Sequence, residues 1–467
     1  MSETQPTLFP IPEGSPTATT APAATTAPTA DRATPRLRTP ERCQSSMHCE
    51  SLEQRLPTPH RARDIWAFVA GLDTTPLLQQ IKAVAGQAGR DATDPRILLA
   101  VWLLAFAEGY GSARAVARLC ERDRAYEWLC GGVTLNYHLL ADFRVAHWDY
   151  LNQVFTDSLA ALMHEGLLEL RRTAQDGMRI GASAGKSSFR REATLTKCLA
   201  EAKQRVEQLN QDFEAGSASA TLQEQVAQQR AACERVERVT DALNQVKELA
   251  QQREARKKGS GQEARASTTD PDARNMKTAD GGFRPGYNVQ FTTTTDSGLI
   301  VGVDVTNQGT DAGLMDPMLE QLEQRTGQVP AEHLTDGGFA TIDDIEKVTT
   351  RGTTVFTPVK DVDKKQAAGI DPYQPQPKDS PAIADWRQRM GTEHAKSIYK
   401  LRAQTAEWSN AQARNRNFYR VRVRGLAKVQ TIALWYALIH NVIVALRLRT
   451  QRAQTAAQQP APPPVNE

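Results

Sequence analysis

Three acids stand where a folded chain could bring carboxylates together. Asp336 ends the short approach "HLTDGGFA", just before two glycines where the chain must turn sharply; Asp176 lies in "QDGMRIGA", and Glu407 in "IYKLRAQTAEWSNAQARNRN". Carboxylates held close repel one another and resist ionisation unless a divalent cation neutralises them, and hard oxygen ligands select magnesium or manganese. Two such ions clamped by three carboxylates would turn water or a 3'-hydroxyl into a nucleophile and stabilise the leaving oxygen of an in-line displacement at phosphorus. Taken singly, each aspartate also reads as ordinary structure, since Asp-Gly is a common turn and Asp caps helices. The case rests on what brings them together.

The elements around the two aspartates supply that argument. From Gly286 the β signals dominate: "GYNVQFTTTT", a turn at Asp296-Ser297-Gly298, and "LIVGVDVT" make a hairpin. Leu314, Met318, Leu319 and Leu322 give the next segment an apolar helical face that Gly327 ends. A short strand then runs into Asp336, followed by a helix over "TIDDIEKVTTR" and a strand over "TTVFTPV". With "QDGMRIGA" as the first strand, the order is β, inserted helices, β, β, α, β, α, β. In an RNase H-like α/β fold the fourth strand lies beside the first, so Asp176 faces Asp336 across 160 residues of sequence. Asp270, Asp272 and Asp304 sit in a connector or at the end of the third strand, where this topology gives them no partner.

The inserted helices read as an antiparallel hairpin over 192–258. Leu195, Leu199, Ala202, Val206, Leu209 and Phe213 recur at steps of four and three, "AGSAS" breaks the run, and Leu222, Val226, Cys233, Val236, Leu243 and Val246 resume it. "RKKGSGQEARASTTD" then reads as a flexible, partly basic connector. Upstream, Ile65 to Leu170 is helical throughout, and "SARAVARLCERDRAYEWLCGGVTLNYHLLADFRVAH" fits either a helix-turn-helix reader or a plain helical bundle. Residues 1–57, with "TATTAPAATTAPTA", and the tail 451–467 hold too few large apolar residues to bury and read as disordered.

Glu407 belongs to a helix whose core stripe is Ile398, Leu401, Thr405 and Trp408. At ~100° per residue, Lys396, Tyr399, Ala403, Glu407, Asn410 and Arg414 share a second face, and Arg402 falls off it. A lone carboxylate among cations and hydrogen-bonding groups suits metal and phosphate. Residues 386–452 carry 14 Lys and Arg against two acids, Glu393 and Glu407, although the net charge of the whole chain is only +3. Arg414, Arg416, Arg420, Arg422, Arg424 and Lys428 form a basic track suited to a phosphate backbone. Six scattered cysteines without a paired motif suit a reducing cytoplasm. The apolar runs "ILLAVWLLAFA" and "TIALWYALIHNVIVALRL", the second interrupted by His440 and Asn441, read as buried helices rather than membrane spans.

From about residue 60 to 450 the chain resembles bacterial insertion-sequence transposases of the DDE type. The blocks that carry the resemblance are "RAYEWLCGGVTLNYHLLADFRVAH", "AQDGMRIGASAGKSSFRR", "STTDPDARNMKTADGGFRPGYNVQF", "LTDGGFATIDDIE" and "IYKLRAQTAEWSNAQARNRN". It implies a helical DNA-binding domain over 58–168 and an RNase H-like (retroviral-integrase-like) catalytic domain over 169–450 interrupted by the hairpin. It further implies a catalytic, metal-binding triad of Asp176, Asp336 and Glu407 with two Mg2+ or Mn2+ ions. Lys396, Tyr399 and Arg402 join the basic track as DNA contacts, and Tyr399 and Arg402 match the Tyr and Arg that precede the Glu. The spacing here is Tyr-x2-Arg-x4-Glu, where the related signature has three residues between Arg and Glu. Gly181 also departs, standing where a larger, often basic residue is expected. The implied partners are element ends and target DNA, with a dimer or larger assembly joining two ends. Two other readings of the residues stay open: a DNA-binding regulator without catalysis, and a coiled-coil interaction protein working through 192–258.

Overall fold

The computed structural model describes residues 49–84, 91–215, 221–278, 281–458 of the chain. Its N-terminal part is helical: α1 (Leu52–Arg55), α2 (Arg61–Ala70), α3 (Thr75–Leu78), α4 (Pro95–Ala107), α5 (Ala113–Arg122), α6 (Arg124–Cys130), α7 (Tyr137–Ala146) and α8 (Trp148–His164). The run "ILLAVWLLAFA" forms α4, which starts at the Asp94 cap and Pro95 and is buried on every side from Leu98 to Ala107. A helix apolar all round needs neighbours all round, and α2, α6, α7 and the last helix, α17 (Leu426–Gln458), surround it. α7 turns Leu140, Phe143 and Arg144 inward, and Arg144 donates to the Gly111 carbonyl. Arg144 is thereby held inside the helical region rather than presented on its surface.

The expected order of strands and helices is present. β1 (Arg172–Gly181) is followed by β2 (Phe189–Arg190), the hairpin α9 (Glu192–Glu214) and α10 (Leu222–Arg256), β3 (Ala266–Ser267), β4 (Arg274–Lys277), β5 (Phe283–Thr294) and β6 (Ile300–Thr306). Then come α11 (Met315–Thr326), β7 (Glu332–Leu334), α12 (Ile342–Thr350), β8 (Thr354–Phe356), α13 (Val362–Ala367), α14 (Pro381–Met390), α15 (Glu393–Tyr399), α16 (Trp408–Asn415) and α17 (Leu426–Gln458). β6, β5 and β1 are antiparallel neighbours, and β1, β7 and β8 run parallel. The register Ala174↔Leu334 between β1 and β7, continued two residues, sets positions 176 and 336 level.

Three expectations shift. The connector after the hairpin is ordered: Ser267 pairs with Phe189 of β2, and its hydroxyl accepts from the Thr269 and Asp270 amides. Asp270 accepts from the Tyr287 hydroxyl and the Gly425 amide, and Asp272 from the Leu426 amide. These two acids therefore satisfy the start of α17, where free amides and the helix dipole favour negative charge. Parts of the two ends expected to lack structure are helical. α1, closed by a capping box at Ser51, is held by Glu53 accepting from Trp128, and α17 continues to Gln458. Residues 1–48 and 459–467, and most of the "AGSAS" break, lie outside the described residues.

α17 holds the parts together. It packs on α4, α7 and α8 on one side and on β6 on the other, and Phe106 of α4 stacks 5.9 Å from Trp435. It is long and apolar enough to cross a membrane, yet 83% of its most apolar window is buried inside the protein. The polar interruptions have work to do there. Asn441 bonds both backbone groups of Ile300 on β6 (2.8 and 2.7 Å), completing that strand's edge, and His440 donates to the Gly298 carbonyl at 2.9 Å. Asn441→Ala strands a buried N–H and C=O and should cost about 2–4 kcal/mol, read as a lower urea midpoint. Burial lowers the pKa of His440 to about 4, below the unfolded value of about 6.5. The unfolded chain therefore takes up more protons as pH falls, and this part of the stability is lost from about pH 6.5 down to about 4. His440→Gln, whose amide can make the same bond, should flatten that acid limb in melts at successive pH values.

Candidate active site

Strand alternation sends Ala174, Asp176, Met178 and Ile180 of β1 to the face covered by α16. Asp176 lies mid-strand opposite Phe291 of β5, and its Oδ2 accepts from Asn410 Nδ2 of α16 at 2.8 Å. Asp336 follows β7 by two residues and divides its carboxylate between two tasks. Oδ1 accepts from the Gly338 amide at 2.8 Å, closing the turn, while Oδ2 faces Arg402 Nη2 at 3.8 Å. A side chain at Gly338 would begin 2.9 Å from that Oδ1, so the tight turn needs a glycine there. The turn thus fixes the carboxylate whose other oxygen faces Arg402.

Glu407 reaches the same place through a local irregularity. The helix that begins at Glu393 widens into a π turn over Ala403–Glu407 before continuing as α16. A π turn bonds residue i to i+5, so residues five apart share a face. Arg402 and Glu407 do so, with Nη1 2.8 Å from Oε1. This corrects the ideal helical wheel, which places Arg402 off the face, and it absorbs the extra residue of the Tyr-x2-Arg-x4-Glu spacing. Trp408 anchors the turn from below, edge-on to His440 at 5.4 Å and under Arg447.

Arg402 stands at the centre. Its guanidinium, 11% exposed, lies 3.8 Å from Asp176 Oδ1, 3.8 Å from Asp336 Oδ2 and 2.8 Å from Glu407. Burial pushes the Asp176 carboxyl up; Asp336 and Asp311 add to this, and Arg402 and Asn410 oppose it. The Tyr399 phenol is pushed up as well, first by burial and then by Asp336, Glu407 and Asp176, with Arg402 opposing, so it belongs to the same cluster. Three hard carboxylates around one cation are a donor set that fits a divalent ion. As placed they close on the guanidinium rather than on one another: among the described residues no three acidic, His or Cys side chains are near enough to share an ion.

The remaining residues of the basic track sort by exposure. Lys396 is exposed and paired with Glu393, and Arg414, Arg420, Arg422, Arg424 and Lys428 are exposed. Arg416 is half-buried, and its carbonyl accepts from the Tyr436 hydroxyl. The extended stretch 418–424 buries Phe418, Val421 and Val423 and is tied to the end of β1: the Gly181 amide donates to the Tyr419 carbonyl and the Val421 amide to the Gly181 carbonyl. A side chain at Gly181 would begin 3.3 Å from Arg420 Cγ, so an arginine stem from elsewhere fills the space this glycine leaves. A groove of about 710 Å³ beside this stretch is lined by Tyr110, Tyr419, Arg420 and Arg422. A cavity of about 1030 Å³ lies away from the carboxylates among α2, α8 and α17.

Residues 50–146 match a model for a transposase domain (DUF772), and residues 260–442 match the transposase DDE domain. The chain belongs to the DDE transposases. No curated protein and no solved structure matches it. Asp336, Arg402 and Glu407 fall within the DDE match, whereas Asp176 lies between the two matched spans and joins them only through the sheet.

The acid that sequence reasoning missed is Asp311, buried beside Gly177 and absent from the candidates Asp270, Asp272 and Asp304. Its loop, "NQGTDAG", has no periodicity to mark it. Deleting the exposed Gln404 should convert the π turn to α-helix with both flanks in register, leaving the thermal midpoint unchanged or higher. Inserting an alanine at the same point should lower the midpoint and separate Arg402 from Glu407.

Proposed function

We propose that this transposase binds the inverted-repeat ends of its own element in the cytoplasm and cuts and joins DNA strands with divalent metal ions. The observation that carries the reading is the convergence of Asp176, Asp336 and Glu407, from three distant parts of the chain, on one cationic centre. Ions held by these three acids would supply an activated hydroxyl and charge stabilisation for in-line displacement at phosphorus. Loading that centre requires the Arg402 guanidinium to leave it, because like charges cannot share the space, and the freed arginine is then available to a phosphate oxygen. Tyr399 and Asn410 hold the flanks of the cluster, and Asn410 fixes the orientation of the Asp176 carboxylate.

The exposed cations Lys396, Arg414, Arg420, Arg422, Arg424 and Lys428 are assigned to the phosphate backbone, which they would hold without reading sequence. Arg416 contributes packing rather than a phosphate contact. The helical region over 58–168 is assigned to end recognition, the hairpin over 192–258 is an insertion into the RNase H-like domain, and joining two ends calls for a dimer or larger assembly. In a nicking assay on end-containing DNA, Asp336→Ala should abolish magnesium-dependent cleavage while gel-shift affinity stays within about threefold, since one carboxylate removed from a basic surface changes phosphate contacts little. Cleavage that survives this substitution would mean the site is elsewhere; wild-type protein that binds ends but never nicks them would favour the silent regulator.

A further inference from the structure

Asp311 sits in the loop between β6 and α11, on the side of β1 opposite Asp176, and is 5% exposed. Its Oδ1 accepts from Asn288 Nδ2 at 2.7 Å and Gln290 Nε2 at 2.8 Å, and its Oδ2 accepts from Arg179 Nη2 at 2.6 Å. The donors come from neighbouring rungs of one ladder, where Gly177 pairs with Gln290 and Arg179 with Asn288. A side chain at Gly177 would begin 2.3 Å from Asp311 Oδ1, so the carboxylate rests directly on the peptide next to Asp176. Its other oxygen lies 3.7 Å from where a side chain at Gly338 would begin, the glycine whose amide orients Asp336.

We propose that Asp311 is a positioning residue that sets the spacing of Asp176 and Asp336 by wedging between the backbone at Gly177 and the turn at Gly338. The inference rests on the metal-site reading of the triad. The wedge cannot drift, because its partners are themselves fixed. Gln290 Oε1 accepts from Gln175, Gln175 also bonds His333 and the Leu314 carbonyl, and His333 bonds Thr173. With its oxygen engaged, Gln290 must present its amide to residue 311. An asparagine there would offer one oxygen to two amide donors and turn its own NH2 group on Arg179, losing the ion pair without changing volume.

The test is Mn2+ binding to the full-length protein without DNA, followed by electron paramagnetic resonance, beside thermal melts in EDTA. Asp311→Asn and Asp311→Ala should each weaken Mn2+ affinity about tenfold, the size seen when groups orienting metal ligands are removed. The EDTA melt of Asp311→Asn should stay close to wild type. Gly177→Ala, which keeps the Asp311 carboxylate but pushes it away from the strand, should weaken binding in the same direction and carries the test should the 311 variants unfold. In Asp311→Ala/Gly177→Ala the new methyl loses its closest clash, and the Gln290 and Asn288 side chains it also meets no longer have the carboxylate to hold them in place, so the double variant should bind better than the product of the two single effects. Wild-type affinity in the folded variants, or strictly multiplicative effects, would overturn the wedge. Wild-type protein that takes up no Mn2+ would overturn both the wedge and the metal reading.

Discussion

The site depends on the parallel pairing of β1 with β7. Only three rungs join them, Arg172↔Glu332, Thr173↔His333 and Ala174↔Leu334, and the side chains reinforce two of these: Arg172 pairs with Glu332, and the Thr173 hydroxyl bonds His333. Side chains alternate along a strand, so a slip of one residue would send Asp336 to the wrong side of its turn relative to Asp176. The parallel arrangement also requires a long crossover, which β5, β6 and α11 provide. Much of the polar layer beneath α11 serves this pairing. His333 is fully buried, and burial lowers its pKa to about 3, so it stays neutral and bonds through both ring nitrogens.

The strand order was legible because its signals are local: alternation in "GYNVQFTTTT" and "LIVGVDVT", a turn between them, and a helix ended by Gly327. Once that order was in hand, Asp176 and Asp336 followed from topology alone. Glu407 and its stripe were legible from periodicity, but Arg402 was not, since a regular helical wheel cannot represent a single π turn. Asp311 was hidden for a different reason. Its role depends on the missing side chain of Gly177 across the ladder, a relation of shape that no spacing encodes. Asp270 and Asp272 were misplaced in a loose connector, although the cluster "STTDPDA" is rich in residues that cap helices; the helix they cap starts some 150 residues later, at Leu426.

Two glycines next to the acids do opposite jobs. Gly177 has no room for a side chain because Asp311, with Gln290 and Asn288, fills the space, and Gly181 borders space that the stem of Arg420 occupies. The first lets an anion approach from behind the strand, and the second brings the cationic stretch 418–424 to the strand's end. β1 thus gathers a carboxylate on one face, a buried anion on the other and cations at its tip. The departure at Gly181 therefore leaves this end of the strand with a positive side chain.

α17 has a consequence for how such a protein can change over generations. One uninterrupted helix is core to the N-terminal bundle and also completes β6 through Asn441, so the two regions share one packing surface. A different N-terminal region could not be exchanged like a bead on a string; it would arrive with a foreign surface against α17, the helix that also packs on β6. On the proposed assignment of the bundle to end recognition, specificity for different ends would evolve by substitutions on its outer surface, while its inner face stays packed on α17.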